Sequence, residues 1–188
     1  MKKIVIFASG SGSNAQRIAE EFAQIPDIQI DRIYCNKSDA FVLERAKKLS
    51  IPAFVFNRDD FYTNGKVLEQ LLSDTPDLIV LAGFLWLIPE NIIKKYEGRI
   101  INIHPALLPK YGGKGMYGIN VHNAVIANKE KESGITIHLV NEKYDDGDIL
   151  FQASCSLTPD DTPDTLARKI HALEYEHFPR IIEGHLRK

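Results

Sequence analysis

The sequence predicts an α/β protein in which a mostly parallel, Rossmann-like sheet carries helices on both faces. Short β-branched runs alternate with longer segments of helical periodicity, which is the pattern of repeated βαβ units. The runs "IVIF" and "LIVLA" are apolar throughout, as strands are when both faces of the sheet are covered. Because 188 residues suit one well-covered core, we expect residues 1–188 to form a single domain.

Each element has a local justification. Strands are expected where β-branched and aromatic residues concentrate, at residues 3–9, 28–36, 53–56, 77–84 and 99–104. Helices are expected between them, where apolar residues recur at helical spacing, near residues 14–25, 39–49, 60–73 and 89–96. A glycine-rich segment at 111–118 follows the fifth strand and leads into a predicted helix at 118–128.

The C-terminal part departs from the βαβ alternation. Two strands are expected at 134–142 and 148–157, and the short acidic turn between them indicates an antiparallel pair. From Pro163 onward the pattern is that of a long amphipathic helix, since proline is tolerated in the first turn. Pro179 lacks an N–H and should bend or interrupt this helix.

Composition narrows the possible functions. A net charge of −2, with basic residues spread along the chain, lacks the surplus that a large nucleic-acid footprint needs. The first apolar run is too short and too soon broken by glycine for a signal peptide, so a cytoplasmic protein is expected. Cys35 and Cys155 have no CxxC partner, which favours buried reduced thiols over a metal or redox site.

The segment "SGSGSNAQ", residues 9–16, joins the first strand to the first helix. Its glycines permit a tight turn, and the N–H groups at a helix N-terminus lack partners within the helix. Together with the side chains of Ser11, Ser13 and Asn14, these N–H groups would form a seat for a phosphate or another oxyanion.

The same segment also has the spacing of a dinucleotide-binding loop, Gly10-x-Gly12-x-x-Ala15. That interpretation requires an acidic residue at the end of the second strand to hold a ribose, but this strand closes with Asn36 and Lys37. We therefore favour a monophosphate over a dinucleotide, and a purely structural turn is the third interpretation.

The fifth predicted strand ends in a polar pair. Asn102 and His104 lie two residues apart, so both side chains point to the same face, and Pro105 ends the strand. Ligands of open α/β sheets bind beyond the carboxyl ends of the strands, where this pair lies. An amide cannot act as an acid or base, but it can donate to a developing oxyanion, so the pair suggests attack at a carbonyl.

The acidic turn "KYDDGD" supplies a candidate carboxylate. Its spacing does not match a calcium-binding loop, and a solvated surface turn is the alternative interpretation. A carboxylate of this turn brought against His104 would stabilise the imidazolium and raise the pKa of the histidine. His122 and His138 lack the spacing of a zinc site, so we expect core or surface roles for both and no metal.

Several motifs together resemble those of a known family. They are "SGSGSN" at 9–14, "LAGF" at 81–84, "INIHPALLPKY" at 101–111, "GITIHLV" at 134–140 and "YDDGDILFQ" at 144–152. In order and spacing they resemble the folate-dependent formyltransferases, and most closely the branch that acts in purine synthesis. The resemblance covers nearly the whole chain. It implies transfer of a formyl group from 10-formyltetrahydrofolate to the amine of glycinamide ribonucleotide, both of them small-molecule substrates.

The resemblance also implies roles for individual residues. The catalytic group would be Asn102, His104 and Asp145. The substrate phosphate would lie on the turn at 11–14, formed by Ser11, Gly12, Ser13 and Asn14, and Glu174 would reach the substrate ribose.

The folate would be held by backbone and apolar groups of "FLWLI" and by the 140–145 loop, that is by Leu85, Trp86, Leu87, Val140 and Asn141. Trp86 stands where several family members carry a basic side chain, and the glycine-rich segment is longer than in those members.

Three rival functions would use some of the same residues, and the sugar-nucleotide enzyme is the main enzymatic alternative. A methionyl-tRNA formyltransferase would share the catalytic string, but it should carry an additional domain and a basic tRNA surface. A sugar-nucleotide amine N-formyltransferase would keep the catalytic group but would need a nucleotide pocket. A non-catalytic nucleotide-binding regulatory module would use "SGSGSN" alone, so Asn102, His104 and Asp145 would be dispensable to it.

Overall fold

The structure, a computed structural model, describes residues 1–188 and confirms the predicted α/β class. The strands are β1 (Lys2–Ala8), β2 (Ile28–Cys35), β3 (Ala53–Val55), β4 (Leu78–Leu81), β5 (Ile100–His104), β6 (Glu132–Leu139) and β7 (Ile149–Ser156). The helices are α1 (Ser13–Phe22), α2 (Val42–Lys48), α3 (Arg58–Tyr62), α4 (Lys66–Asp74), α5 (Glu90–Lys95), α6 (Ile119–Ala127) and α7 (Pro163–Leu186).

All strands belong to one seven-stranded sheet, in the order β3-β2-β1-β4-β5-β6-β7. The first five strands of that order run parallel, β6 is antiparallel to β5, and β7 is antiparallel to β6. The chain builds the sheet outward from β1 through β2 and β3, and then continues at β4 on the other side of β1. The carboxyl ends of β1 and β4 therefore form a topological switch point, where α/β sheets bind ligands.

The core has two layers because alternate residues of each strand face opposite sides of the sheet. Ile4 and Ile6 of β1 pack in a cluster with buried residues of α1, α2, α6 and α7. Val5 and Phe7 face the other side and pack with buried residues of α3, α4 and α5. This second layer is rich in aromatic rings, and Phe7 stacks on Tyr34 at a centroid distance of 4.6 Å.

The helix predicted at 60–73 is instead two short helices. Asn57 caps α3 by accepting from the backbone N–H of Asp60, whose side chain accepts in turn from the N–H of Asn57. Gly65 follows α3 with a left-handed φ of 75° and precedes α4. A left-handed residue breaks a right-handed helix, so a single helix over this range was the wrong prediction.

Pro179 does not interrupt the helix, because α7 continues through this residue to Leu186, and a bend there stays a prediction. Proline removes the N–H that would bond to the carbonyl four residues earlier, which is the carbonyl of Tyr175. Arg17 of α1 donates its Nε–H to that carbonyl at 3.2 Å. The contact with α1 thus replaces the hydrogen bond that Pro179 cannot make.

Both cysteines are free, but their burial differs. Cys35 is buried in the first layer of the core, and burial raises the pKa of its thiol. Cys155 is only partly buried, so the expectation of two buried thiols holds for Cys35 alone. No helix combines the length and the apolar character needed to span a bilayer.

Candidate active site

A cleft of about 700 Å³ opens at the carboxyl ends of β1, β4 and β5. Its walls include the turn after β1, the segment after β4 and the glycine-rich segment before α6. The first two walls are joined, because Ser9 donates its N–H to the carbonyl of Gly83 at 3.1 Å and its hydroxyl accepts from Leu85 N–H at 3.1 Å. The cleft therefore lies at the switch point of the sheet.

Asn102, His104 and Asp145 meet in this cleft. The first two lie on one face at the end of β5, and the third comes from the turn between β6 and β7. Asp145 Oδ2 lies 3.5 Å from His104 Nδ1, and Asp145 Oδ1 lies 3.5 Å from Asn102 Nδ2. Asp145 itself adopts a left-handed backbone with a φ of 53°, a conformation that is uncommon for residues other than glycine. The sequence placed all three residues in one site, and the structure brings them together.

The turn that carries Asp145 packs closely against β6. A side chain at Gly147 would collide with the backbone carbonyl of Leu139, the last residue of β6. Only glycine permits this approach, so Gly147 fixes the distance between the acidic turn and the strand.

The glycine-rich segment contacts both partners of the His104–Asp145 pair through its backbone. His104 Nε2 lies 2.7 Å from the carbonyl of Tyr111, and Gly113 donates its N–H to Asp145 Oδ2 at 2.9 Å. A carbonyl can only accept, so Nε2 of His104 carries a proton. In the neutral ring Nδ1 would then face Asp145 as a lone pair, whereas in the imidazolium it would face Asp145 as a donor.

Burial and charge act against each other on this pair. Burial lowers the pKa of His104 below its usual value, and the carboxylate of Asp145 and the Tyr111 carbonyl only partly oppose it. The expectation of a raised histidine pKa is therefore wrong in its net direction, although Asp145 acts with the expected sign. Burial also raises the pKa of Asp145, but its contacts with His138, His104 and Gly113 outweigh this and hold that pKa below its usual value.

Sequence reasoning missed one residue of this group, His138. It pairs with Asn102 across β5 and β6, is 2% exposed, and its Nε2 lies 3.1 Å from Asn102 Nδ2 and 3.7 Å from Asp145 Oδ1. A core or surface role was expected for His138, but its ring is buried beside the candidate catalytic residues. The alternation of "TIHLV" was a usable signal, but only the strand register shows which residue lies opposite Asn102.

The predicted phosphate seat lies at the other end of the cleft. Gly12 has a left-handed φ of 72° and directly precedes Ser13, the first residue of α1. Because Gln16 is the first residue whose N–H bonds back to Gly12, the N–H groups of Ser13 and Asn14 have no acceptor within the helix. The four residues predicted for this seat all line the cleft: Ser11, Gly12, Ser13 and Asn14.

Glu174 of α7 reaches this seat. This residue is 5% exposed, and its carboxylate accepts a hydrogen bond from Asn14 Nδ2 at 2.9 Å. Burial raises the pKa of Glu174 to about 7, and the bond from Asn14 only partly opposes this. Glu174 thus changes charge near neutrality, at the end of the cleft where a phosphate seat is predicted. His122 lines the cleft too, and its Nδ1 is buried without a hydrogen-bond partner.

Four of the five residues predicted to hold folate line the cleft: Leu85, Trp86, Leu87 and Val140. Asn141 does not, since its side chain instead bonds to Asp146 at 3.3 Å and to the N–H of Lys143 at 2.9 Å. The Arg58 guanidinium lies 5.7 Å from the ring centroid of Trp86 and 5.0 Å from that of Tyr62. A basic group is therefore present beside Trp86, although it comes from α3.

The glycine-rich segment has apolar anchors, which the sequence did not predict. Tyr111 and Met116 pack against the first layer of the core. The hydroxyl of Tyr111 donates to Glu130 at 2.8 Å and accepts from Asn128 at 3.0 Å. Residues 117 and 118 at its end are exposed.

Comparison with known proteins gives a consistent result. Residues 2–182 match the sequence model of a family described as formyl transferase. Phosphoribosylglycinamide formyltransferase of Haemophilus influenzae is 37% identical, over all of this chain and 90% of that protein. The chloroplastic enzyme of the same name from Arabidopsis thaliana is also 37% identical, but the chain spans only 64% of its length. The crystal structure of phosphoribosylglycinamide formyltransferase from Bacillus halodurans superposes with a TM-score of 0.88 at 35% identity, covering 100% of this chain and 96% of that one.

Proposed function

This chain belongs to the formyl transferase family, and we propose that it transfers the formyl group of 10-formyltetrahydrofolate to the amine of glycinamide ribonucleotide. The observation that carries the proposal is the meeting of Asn102, His104 and Asp145 in a cleft whose far end holds a predicted phosphate seat. The names of the relatives support the acceptor. An amide, an imidazole and a carboxylate can together stabilise an oxyanion and move a proton, as acyl transfer to an amine needs.

The proposed reaction is a direct transfer. The amine nitrogen attacks the formyl carbon, a new C–N bond forms, and the C–N bond to folate N10 breaks after a tetrahedral intermediate. The amine proton moves to the folate nitrogen, so charge and atoms balance without a covalent enzyme intermediate. Asn102 and protonated His104 stabilise the tetrahedral oxyanion, and Asp145 holds the imidazole and assists the proton transfer.

The proposed role of His104 requires movement of the glycine-rich segment. Its Nε2–H donates to the Tyr111 carbonyl, so this N–H reaches a formyl oxygen only when residues 111–118 shift. We expect the same shift to cover the substrates and to exclude water from a formyl group that water could hydrolyse. Amide hydrogen exchange in this segment should slow when both substrates bind, whereas unchanged exchange would contradict the shift.

The two substrates would occupy opposite ends of the cleft. The phosphate of glycinamide ribonucleotide would lie on the turn formed by residues 11–14, with Glu174 beside the ribose. The folate would lie against Leu85, Trp86, Leu87 and Val140, and a contact of Asn141 with folate stays a prediction. This arrangement would direct the amine toward Asn102 from one side and the formyl group from the other.

A direct assay tests the proposal. Purified protein is mixed with glycinamide ribonucleotide and 10-formyltetrahydrofolate, and the deformylated folate is followed by its absorbance. A sugar-nucleotide amine replaces the ribonucleotide in a parallel reaction. We expect turnover with the ribonucleotide alone. Turnover with the sugar nucleotide alone would mean that a sugar-nucleotide amine, and not glycinamide ribonucleotide, is the acceptor. No turnover with either acceptor would favour a non-catalytic module.

A further inference from the structure

His138 makes contacts that the proposed reaction does not yet use. Its ring is buried behind Asn102, and each ring nitrogen faces one close polar neighbour. Nδ1 lies 2.8 Å from the backbone carbonyl of Leu139, and Nε2 lies 3.1 Å from Asn102 Nδ2. Asp145 Oδ1 is a more distant neighbour of Nε2, at 3.7 Å.

These neighbours determine the tautomer of His138. The carbonyl of Leu139 can only accept, so Nδ1 must carry the proton that this bond needs. In a neutral imidazole with a proton on Nδ1, Nε2 presents a lone pair and can only accept. The atom of Asn102 that faces Nε2 must therefore be the donating amide nitrogen, and the amide oxygen must lie on the other side.

The two hydrogens of Asn102 Nδ2 are thus held unequally. One is bonded to His138 Nε2 at 3.1 Å, and the other faces Asp145 Oδ1 at 3.5 Å, the outer limit for a hydrogen bond. A developing oxyanion in the cleft can compete for the second hydrogen, because its present bond is weak. The first hydrogen stays on the histidine and keeps the amide plane fixed.

We propose that His138 is a positioning residue that presents an N–H of Asn102, and not its carbonyl oxygen, to the oxyanion of the transferred formyl group. The proposal rests on the function proposed above. Without the lone pair of His138 the amide would be free to rotate and to present its oxygen, which repels an oxyanion. Protonation of His138 would have the same result, because an imidazolium Nε2 donates and would turn the amide oxygen toward itself.

Nitrogen NMR tests the tautomer independently of activity. The side-chain nitrogens of His138 are assigned by the loss of their signals in His138→Gln, and their shifts are measured at a pH where the ring is neutral. We expect a protonated Nδ1 and an unprotonated Nε2. A proton on Nε2 would overturn the proposal, whether or not the protein proves to be a formyltransferase.

Kinetics test whether His138 acts through Asn102. We expect His138→Leu to lower kcat by about tenfold or more with little change in either KM, since losing an oxyanion donor outright costs about a hundredfold or more. His138→Gln should restore most of kcat, because the glutamine oxygen can accept from Asn102 in place of Nε2. His185→Gln, a change outside the cleft, is the matched control.

A double-mutant cycle completes the test. In an Asn102→Ala background, His138→Leu should lower kcat by less than about twofold further, because the residue through which it acts is gone. Full additivity of the two losses would overturn the proposal, as would a His138→Gln variant no better than His138→Leu.

Discussion

Asp74 and Glu174 have the same exposure, 5%, but lie in different surroundings. Asp74, at the end of α4, accepts from Arg32 Nε at 2.8 Å, Tyr34 hydroxyl at 2.6 Å and Gln70 Nε2 at 2.8 Å. Burial raises its pKa, but these donors outweigh burial and hold the pKa below its usual value. Asp74 therefore stays charged inside the protein.

Glu174 has a single donor, Asn14, and its pKa rises to about 7. Equal exposure thus accompanies opposite shifts, because Glu174 lies deeper and has one neutral donor, whereas Asp74 has three donors, one of them charged. A carboxylate that already accepts several hydrogen bonds serves the fold. A carboxylate beside a cleft that accepts only one can still accept hydrogen bonds from a ligand. Asp145, which accepts from the N–H of Gly113 and faces His104, lies between these two cases.

The largest effect should come from removing the scaffold carboxylate. Asp74→Ala leaves the Arg32 charge and the Tyr34 hydroxyl without their partner, and breaking such a buried network costs about 3 kcal/mol of the free energy of unfolding. Urea unfolding of the variant, compared with Glu69→Ala on the exposed side of α4, measures this cost. Both KM values should be unchanged. An Asp74→Ala variant of unchanged stability but altered KM would show that Asp74 serves substrate binding and not the stability of the fold.

The next largest effect is on chemistry. Asp145→Asn keeps the shape of the side chain but removes the charge that favours protonated His104, so kcat should fall by about a hundredfold or more. His104 should also titrate at lower pH in the variant, which NMR measures directly. Asp146→Asn is the matched control, because Asp146 points to Asn141 and Lys143 at the surface. An active Asp145→Asn with an unmoved His104 titration would contradict the catalytic group.

A smaller effect is expected at the phosphate seat. Asn14→Leu removes the only donor to Glu174 and disturbs the first turn of α1. The KM for glycinamide ribonucleotide should rise by about tenfold, equivalent to about 1.4 kcal/mol of binding, with the KM for the folate nearly unchanged. Steady-state kinetics with each substrate varied in turn measures both values. Equal losses for the two substrates would argue against a seat specific to the phosphate.

The smallest effect is on thermal stability at Glu174. Its pKa in the folded protein, about 7, exceeds the ordinary value of 4.5, so its contribution to stability is fully present below pH 4.5 and is lost as the pH rises through 7. Glu174→Gln removes this loss. The Tm of the variant relative to the unchanged protein should therefore be higher at pH 8 than at pH 5 by several degrees. Equal differences at both pH values would mean that Glu174 keeps its charge throughout.

Much of the fold follows from local sequence signals. The apolar strands, the glycine turn before α1 and the antiparallel pair at the end were all predictable, because the pattern of each is set by its own residues. The two errors in the helices have different causes, one distant in sequence and one local. Pro179 is tolerated because Arg17, far away in sequence, takes the orphaned carbonyl of Tyr175. The break at Gly65 depends on a backbone conformation that glycine permits but does not require.

The site shows the same limit. Asn102 and His104 were predictable as a pair, because spacing along one strand fixes their common face. His138 was not, because its role depends on the register between β5 and β6. The net pKa direction of His104 was also out of reach, since it depends on how deeply the ring is buried.

The glycine-rich segment touches the reacting group only through main-chain atoms, the Tyr111 carbonyl and the Gly113 N–H. Both contacts use backbone atoms, so neither depends on the chemistry of a particular side chain. Gly112 and Gly113 still require glycine, because a methyl group at Gly112 would press on the side chains of Leu108 and Asp145, and Gly113 has a left-handed φ of 94°. An alanine at either glycine should therefore disturb the His104–Asp145 pair through the backbone, without removing any side chain from the cleft.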